Sequence, residues 1–158
     1  MTNKIIDFHT HAFSDDLAPK AMKALTQHHP EIPYFLDGTI KSLLKSMDQA
    51  GIEKSVICSI ATKPKQFQPI LDWSLQIQSS RIIPFGSVHP ADPDRAAHIK
   101  QVKNAGLKGI KIHPYYQDFF LDDDSMMEYY EQVCKNDLLL IVHTGFDIAF
   151  EFIRRADP

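Results

Sequence analysis

The chain alternates between two hydrophobic patterns, one typical of strands and one typical of helices. Short apolar runs bounded by turn residues predict five strands, at residues 5–11, 54–60, 81–89, 107–113 and 138–143. Apolar residues at helical spacing predict helices after these strands, at residues 40–50, 67–79, 92–106 and 123–136. A further short helix, at 19–28, is predicted within a long polar loop, and the residues after 143 resemble the start of another helix.

The helix at 40–50 has the clearest pattern. Its apolar residues follow the spacing i, i+3, i+4 and i+7, and they are Ile40, Leu43, Leu44 and Met47. Asp37 or Thr39 is the predicted N-cap, and Gly51 is the predicted stop.

Two later helices carry more specific expectations. In the helix at 92–106, Asp92 and Pro93 are predicted to be the cap and the first-turn proline, and Gly106 closes the helix. The helix at 123–136 is expected to bury one apolar face, formed by Met126, Tyr130 and Val133.

Strands that alternate with helices are typical of right-handed parallel βαβ units. Predicted strands two, three and five are apolar at almost every position, as expected for strands covered on both faces. Two architectures fit: an open doubly wound sheet, which five strands would complete, and an eight-stranded β/α barrel, of which five units are a part. In the open sheet the first strand normally meets a glycine-rich phosphate loop, and residues 10–15 contain no glycine.

Histidines lie at the C-terminal ends of four of the five predicted strands. His9 and His11 are two residues apart in the first strand, so their side chains share one face and can reach a single metal ion. His89, His113 and His143 end the third, fourth and fifth strands. In a barrel these ends converge on the rim where active sites lie. Imidazoles without cysteine indicate a Zn, Mn or Fe site with open coordination positions, and they favour the barrel.

Composition and charge exclude other classes of function. The 158 residues are 44% hydrophobic, enough for one domain with a core, and the formal net charge is −3. This balance gives no reason to expect a nucleic acid or a membrane as partner, and no apolar run approaches the roughly 20 residues of a membrane span. Cys58 and Cys134 lie in apolar segments and no targeting segment precedes the first strand, so we expect a cytoplasmic location. The expected partner is a small-molecule substrate, and a homo-oligomer is a second possibility.

Four short motifs occur in order along the chain. They are Ile-Ile-Asp-Phe-His-Thr-His at 5–11, Met-Asp-Gln-Ala-Gly-Ile at 47–52, Gly-Ile-Lys-Ile-His-Pro at 109–114 and Val-His-Thr-Gly at 142–145. Together they resemble the amidohydrolase superfamily, in particular the amidohydrolase-related (amidohydrolase 2) branch that includes aminocarboxymuconate-semialdehyde and resorcylate decarboxylases. The resemblance implies a TIM (β/α)8-type metal-dependent hydrolase barrel. Residues 1–158 would be the N-terminal part of this single barrel domain, with about the first five βα units.

The resemblance also implies a metal site. His9 and His11 match the metal ligands of the first strand, and His143 matches the ligand of the fifth strand. The implied cofactor is a divalent metal, with Zn preferred and Mn or Fe as alternatives. Such an ion acidifies a bound water and polarises a carbonyl or carboxylate oxygen, so the implied reaction is hydrolysis by a metal-activated water.

Three further residues near the fourth strand receive roles from the same resemblance. Lys111 occupies the position where binuclear members place a carboxylated lysine, and in a mononuclear enzyme it would pair with a substrate carboxylate. His113 is expected to bind substrate or transfer a proton, which makes Lys111 and His113 the predicted catalytic pair. Gln117 is a candidate substrate contact. Tyr115 and Tyr116 either line an aromatic pocket or anchor the loop.

The chain departs from the family pattern at its end. Family members use a histidine at the end of the sixth strand and an aspartate at the end of the eighth, and five units contain neither. A complete barrel takes about 250 residues, so we expect either a longer protein or a second chain that covers the open strand edges. The main hypothesis is a metal-dependent hydrolase, with a decarboxylase of the same branch as alternative. A truncated non-catalytic binding domain and an open-sheet nucleotide or phosphate binder stay open.

Overall fold

A computed structural model describes residues 4–27, 33–150 and 153–156. Its strands are β1 (Ile5–Thr10), β2 (Ile52–Cys58), β3 (Ile82–Phe85), β4 (Gly109–Ile112) and β5 (Leu139–Val142). Its α-helices are α1 (Ala18–Thr26), α2 (Ile40–Ala50), α3 (Phe67–Ile77), α4 (Arg95–Asn104) and α5 (Met127–Lys135). Short 3-10 turns, Pro64–Gln66 and Asp124–Met126, precede α3 and α5. The pairings β1–β2 and β4–β5 are parallel, which confirms the predicted α/β class with parallel strands.

The chain divides into two compact units. The first contains Met1–Ile57 and Ile77–Ile83, and the second contains Cys58–Gln76 and Pro84–Pro158. No helix among the described residues is both long and apolar enough to cross a membrane.

In the first unit, β2 has β1 on one side and the start of β3 on the other. Ile5 lies opposite Ile52 in the β1–β2 ladder. Among the described residues β1 has no strand on its other edge, and its apolar side chains are about half exposed: Ile5 49%, Ile6 50% and Phe8 49%.

Helix α2 confirms the predicted pattern and its end signals. The side-chain oxygen of Thr39 accepts a hydrogen bond from the Ser42 backbone N–H (3.2 Å), so Thr39 is the N-cap. Asp37 supports this cap from outside the helix, because its carboxylate accepts hydrogen bonds from the backbone N–H and the hydroxyl of Thr39. Gly51 ends the helix at φ +68° and donates its backbone N–H to the Met47 carbonyl.

In the second unit, β4 and β5 run side by side, and Ile112 lies opposite Val142. Gly86, directly after β3, pairs with Ile110: its N–H bonds to the Gly109 carbonyl, and its carbonyl accepts from the Lys111 N–H, both at 2.9 Å. The core of this unit is formed by buried side chains of α3, α4, α5 and β4 and of the segments beside them, among them Phe67, Leu71, Val88, Ile99, Val102, Ile110, Ile112, Tyr129 and Val133.

The third strand and the fourth helix are shorter than predicted. β3 ends at Phe85 rather than His89, because after Gly86 the backbone leaves the ladder and is held by side chains instead. α4 begins at Arg95 rather than at Asp92 and Pro93. The carboxylate of Asp92 accepts a hydrogen bond from the Asp94 N–H (2.9 Å) and forms a turn before the helix, so the predicted cap was wrong by two residues.

The buried face of α5 and the end of the chain also differ. Met126 and Val133 are buried as predicted, but Tyr129 replaces Tyr130 as the fully buried tyrosine. The 3-10 turn before α5 has three residues per turn instead of 3.6, which shifts the face that points inward. The predicted helix after residue 143 was wrong: the described residues 143–150 and 153–156 contain none, and Gly145 turns the backbone at φ +82°.

Candidate functional site

Three potential metal donors come together in the second unit. His113 and His143 directly follow β4 and β5, and because these strands are parallel neighbours, the two histidines leave the same edge of the ladder. Asp147 lies four residues after His143 in the following loop. One ligand atom from each of these three side chains lies within 4.8 Å of the other two. This is a donor set of two imidazoles and one carboxylate.

The geometry around His143 tests whether this set fits a cation. His113 Nε2 and Asp147 Oδ2 are 3.2 Å apart, with side chains that are 5% and 15% exposed. The rings of His113 and His143 stack at 4.0 Å with an angle of 13° between their planes. His143 Nε2 is buried and has no hydrogen-bond partner among the described residues. A buried, unpartnered imidazole nitrogen beside two other donors fits a divalent cation. Because stacked rings hold their lone pairs nearly parallel, sharing one ion requires one ring to turn.

Burial shapes the electrostatics of this site. Burial lowers the pKa of His143, an effect that Asp147 opposes and Lys111 reinforces. Its imidazole therefore favours the neutral form, which is the form that binds metals. Burial also lowers the pKa of the Lys111 amine, and Cys58 opposes this shift. The pKa of Tyr116 is raised by burial and by the nearby Asp147.

The predicted catalytic pair and the predicted substrate contact lie in this unit. Lys111 is on β4 and is fully buried, and His113 is buried directly after the strand. The Gln117 side chain is also buried, and both ends of its amide bond the backbone: its oxygen accepts from the His113 N–H (2.8 Å), and its nitrogen donates to the Ala61 carbonyl (3.0 Å).

His9 and His11 lie in the first unit, at the end of β1. His9 is the fifth residue of β1, and His11 is the first residue after this strand. Both residues are exposed, and their ring centroids are 5.1 Å apart. The His9 backbone N–H donates to the carboxylate of Asp7 (3.2 Å). The two imidazoles are therefore neighbours, as the i, i+2 spacing predicts.

The remaining strand-end histidine is His89, four residues after β3. It is 9% exposed, and its Nδ1 accepts a hydrogen bond from the Ala91 N–H (3.0 Å). An acceptor at Nδ1 leaves the proton of the neutral ring on Nε2. Burial lowers the pKa of His89, while Asp92 and Asp118 oppose this shift.

The sequence does not predict one feature of this site, and for another it leaves two alternatives. Asp147 received no role, because it lies in a loop without periodicity and no motif includes it. The two tyrosines after His113 have different positions. Tyr115 is buried and donates its hydroxyl to the Ile153 carbonyl (2.7 Å), whereas the ring of Tyr116 lies nearly perpendicular to that of His113, with the ring centroids 4.6 Å apart. Tyr115 thus anchors the loop, and Tyr116 lies beside the donor set.

Comparison with known proteins was made by sequence and by structure. No protein-family model matches the chain, and no curated protein matches it either. A 5-carboxyvanillate decarboxylase from Novosphingobium aromaticivorans, with bound manganese, has a TM-score of 0.67 and 21% identity over 91% of this chain and 51% of its own. A structure described as amidohydrolase II has a TM-score of 0.68 and 15% identity over 94% of this chain and 53% of its own. A probable 2-pyrone-4,6-dicarboxylic acid hydrolase from Acinetobacter baumannii, with bound citric acid, has a TM-score of 0.58 and 16% identity over 90% of this chain and 50% of its own.

These likenesses establish a shared fold. The resemblance read from the sequence motifs is confirmed at this level, because the similar structures include one described as amidohydrolase II. The chain spans about half the length of each of these structures.

Proposed function

We propose that the chain is the first five βα units of a TIM-type (β/α)8 barrel, and that the whole protein is a metal-dependent hydrolase of a small carbonyl- or carboxylate-containing substrate. The parallel strands and the likeness to proteins about twice as long support the first part of this proposal. The observation that carries the second part is the cluster of His113, His143 and Asp147 beyond the ends of β4 and β5, in which the buried Nε2 of His143 is unpartnered among the described residues and so can bind a metal ion.

The proposed ligands of the divalent metal are the three histidines predicted from the sequence, His9, His11 and His143. Zn is the preferred ion, and Mn or Fe are the alternatives. The neighbouring imidazoles of His9 and His11 support the first pair, and the buried, unpartnered Nε2 of His143 supports the third ligand. When bound, a divalent metal supplies Lewis acidity to a substrate oxygen and acidifies a water molecule.

The chain's own residues have separate proposed roles. His113 transfers a proton, and Asp147, 3.2 Å from its Nε2, orients the ring for this task. Lys111 binds the substrate carboxylate as a cation or a hydrogen-bond donor. Gln117 stays a prediction as a substrate contact, and both ends of its amide already bond the backbone.

Decarboxylation is the second candidate reaction. A decarboxylase with bound manganese shares the fold of this chain at a TM-score of 0.67. A site that holds a metal beside a buried lysine suits a carboxylated substrate in either reaction, because both begin with a bound carboxylate or carbonyl oxygen.

The test is an assay of the purified chain, loaded with Zn²⁺ or Mn²⁺, against two substrates. One is a lactone, whose ring opening is monitored through the acid that it releases. The other is a hydroxybenzoate with an adjacent carboxylate, whose decarboxylation is monitored through the CO₂ that it releases. The His113→Gln and Lys111→Met variants are assayed beside the wild-type chain. Lactone opening that both variants lose supports the hydrolase, and CO₂ release that both lose supports the decarboxylase. If the metal-loaded chain releases neither product, the assay is repeated with the whole protein, because the proposal places the activity there. A whole protein that releases neither product contradicts both reactions and supports a non-catalytic binding domain.

A further inference from the structure

A buried network of side-chain hydrogen bonds connects three loops of the second unit. Ser87 and Gln117 are each 1% exposed. The Ser87 hydroxyl accepts from the Ala61 N–H (3.0 Å) and donates to the Lys111 carbonyl (2.9 Å). The Gln117 amide donates to the Ala61 carbonyl (3.0 Å) and accepts from the His113 N–H (2.8 Å). Two side chains thus hold both polar atoms of Ala61 and one backbone atom each of Lys111 and His113.

We propose that Ser87 and Gln117 are positioning residues, which fix the backbone of Lys111 and His113 and thereby aim these two side chains. The assignment of Lys111 and His113 as the reacting pair rests on the proposed function. Neither Ser87 nor Gln117 needs to touch the substrate in this role.

The directions of the bonds support positioning rather than packing alone. A buried polar side chain is costly unless every donor and acceptor is paired, so apolar residues would fill the same space more simply. The two side chains instead bond the carbonyl of one predicted catalytic residue and the N–H of the other. These atoms flank Ile112, the last residue of β4. On the β3 side of β4 the ladder ends at Gly86, and beyond that residue side chains bond the backbone in place of a neighbouring strand. Catalytic groups need such support, because a displacement of about 1 Å can reduce a rate by roughly 100-fold.

The stacked pair of His113 and His143 offers a direct measurement of position. Their ring centroids are 4.0 Å apart, so their ring protons give a nuclear Overhauser effect (NOE) that weakens steeply with distance. The NOE is measured in the metal-free full chain labelled at histidine, with peaks assigned from His113→Gln and His143→Gln. The test variants are Gln117→Met, which keeps the side-chain length and removes its hydrogen bonds, and Ser87→Ala. Thermal unfolding is measured for each variant.

The matched control is Tyr129→Phe. Tyr129 is fully buried, and its hydroxyl donates to the Val88 carbonyl (2.9 Å), so this variant loses a buried hydrogen bond of the same unit without removing a bond to Lys111 or His113. The proposal predicts that the NOE is weakened severalfold or lost in Gln117→Met, is weakened in Ser87→Ala and is unchanged in Tyr129→Phe.

An unchanged NOE in both test variants, with a loss of thermal stability similar to that of the control, would overturn the proposal and leave the network a purely structural role. If Gln117→Met does not fold, Ser87→Ala decides, because it removes a single atom. The readout needs no metal and no substrate. Failure of the proposed function would therefore show as missing turnover in the whole protein and would not alter the NOE comparison.

Discussion

Gly109, the first residue of β4, is a position where any side chain should damage the strand that carries Lys111 and His113. A Cβ atom built on Gly109 would lie 2.2 Å from Phe85 Cε2 and 2.6 Å from the Leu139 backbone oxygen. Carbon atoms in contact are normally about 3.5–4.0 Å apart. The Phe85 ring is fully buried, and the Leu139 oxygen belongs to the neighbouring strand, so neither can move away without disturbing the core or the β4–β5 pairing.

The expected cost of Gly109→Ala follows from this overlap. Overpacking in a core usually costs about 1–3 kcal/mol, and the clash with a backbone atom places Gly109→Ala at about 3 kcal/mol or above. For a chain of this size, about 3 kcal/mol corresponds to a decrease of roughly 6–12 °C in Tm. The loss is measured by thermal and urea unfolding, followed by circular dichroism.

The control is Gly106→Ala in the same unit. Gly106 has φ +82°, but a Cβ atom there would meet nothing within 4 Å. Its cost therefore comes from the left-handed backbone alone, about 1 kcal/mol. The packing argument for β4 would be refuted if Gly109→Ala lowered the free energy of unfolding no more than Gly106→Ala does.

Three other predictions test separate parts of the structure. Burial raises the pKa of Tyr129 above its unfolded value of about 10. The stability linked to its neutral hydroxyl is therefore complete below about pH 10 and is lost as the pH rises further, by up to about 1.4 kcal/mol per pH unit. In urea unfolding between pH 9 and 11, the free energy of unfolding should depend less on pH in Tyr129→Phe than in the wild type, whereas the exposed control Tyr34→Phe should behave as the wild type. An equal pH dependence in the two variants would contradict this prediction. Thr39→Ala should lower the free energy of unfolding by about 1 kcal/mol because the α2 cap is lost, whereas Thr39→Ser should retain most of this stability. Equal losses in the two variants, measured by chemical denaturation, would argue against the cap. Asp147→Asn should weaken Co²⁺ binding roughly 10-fold or more in a spectroscopic titration, because it removes the carboxylate beside the proposed ligand His143. Unchanged affinity would exclude Asp147 from the site.

The local pattern of the sequence predicts the order and type of the elements well. Each of the five predicted strands is present, and the helical spacing and the glycine stop at Gly51 locate α2 correctly. Boundaries fail where long-range contacts decide them. The predicted third strand extends through residues 86–89, but there the Ser87 side chain bonds Ala61 and Lys111 and the ladder does not continue.

The candidate site divides in the same way. The strand-end positions of His113 and His143 follow from the alternation of strands and helices, since parallel neighbours end at one edge. The bonds of Gln117 cannot be predicted from the sequence, because its partner Ala61 lies 56 residues away. Asp147 joins the donor set through an irregular loop, which no periodic pattern describes.

The central claim is that this chain contributes His143 to a divalent metal site, and metal binding tests it most directly. Co²⁺ is titrated into the purified metal-free chain, and its visible absorption is compared for wild type, His143→Asn and the double variant His9→Asn/His11→Asn. The control is His98→Asn, because His98 already bonds Asp92 (2.7 Å) and stacks on Phe67 and is not a predicted ligand. We predict binding in the wild type and the control that is lost both in His143→Asn and in the double variant. Equal affinity in wild type and His143→Asn, or no binding by the wild-type chain, would contradict the account.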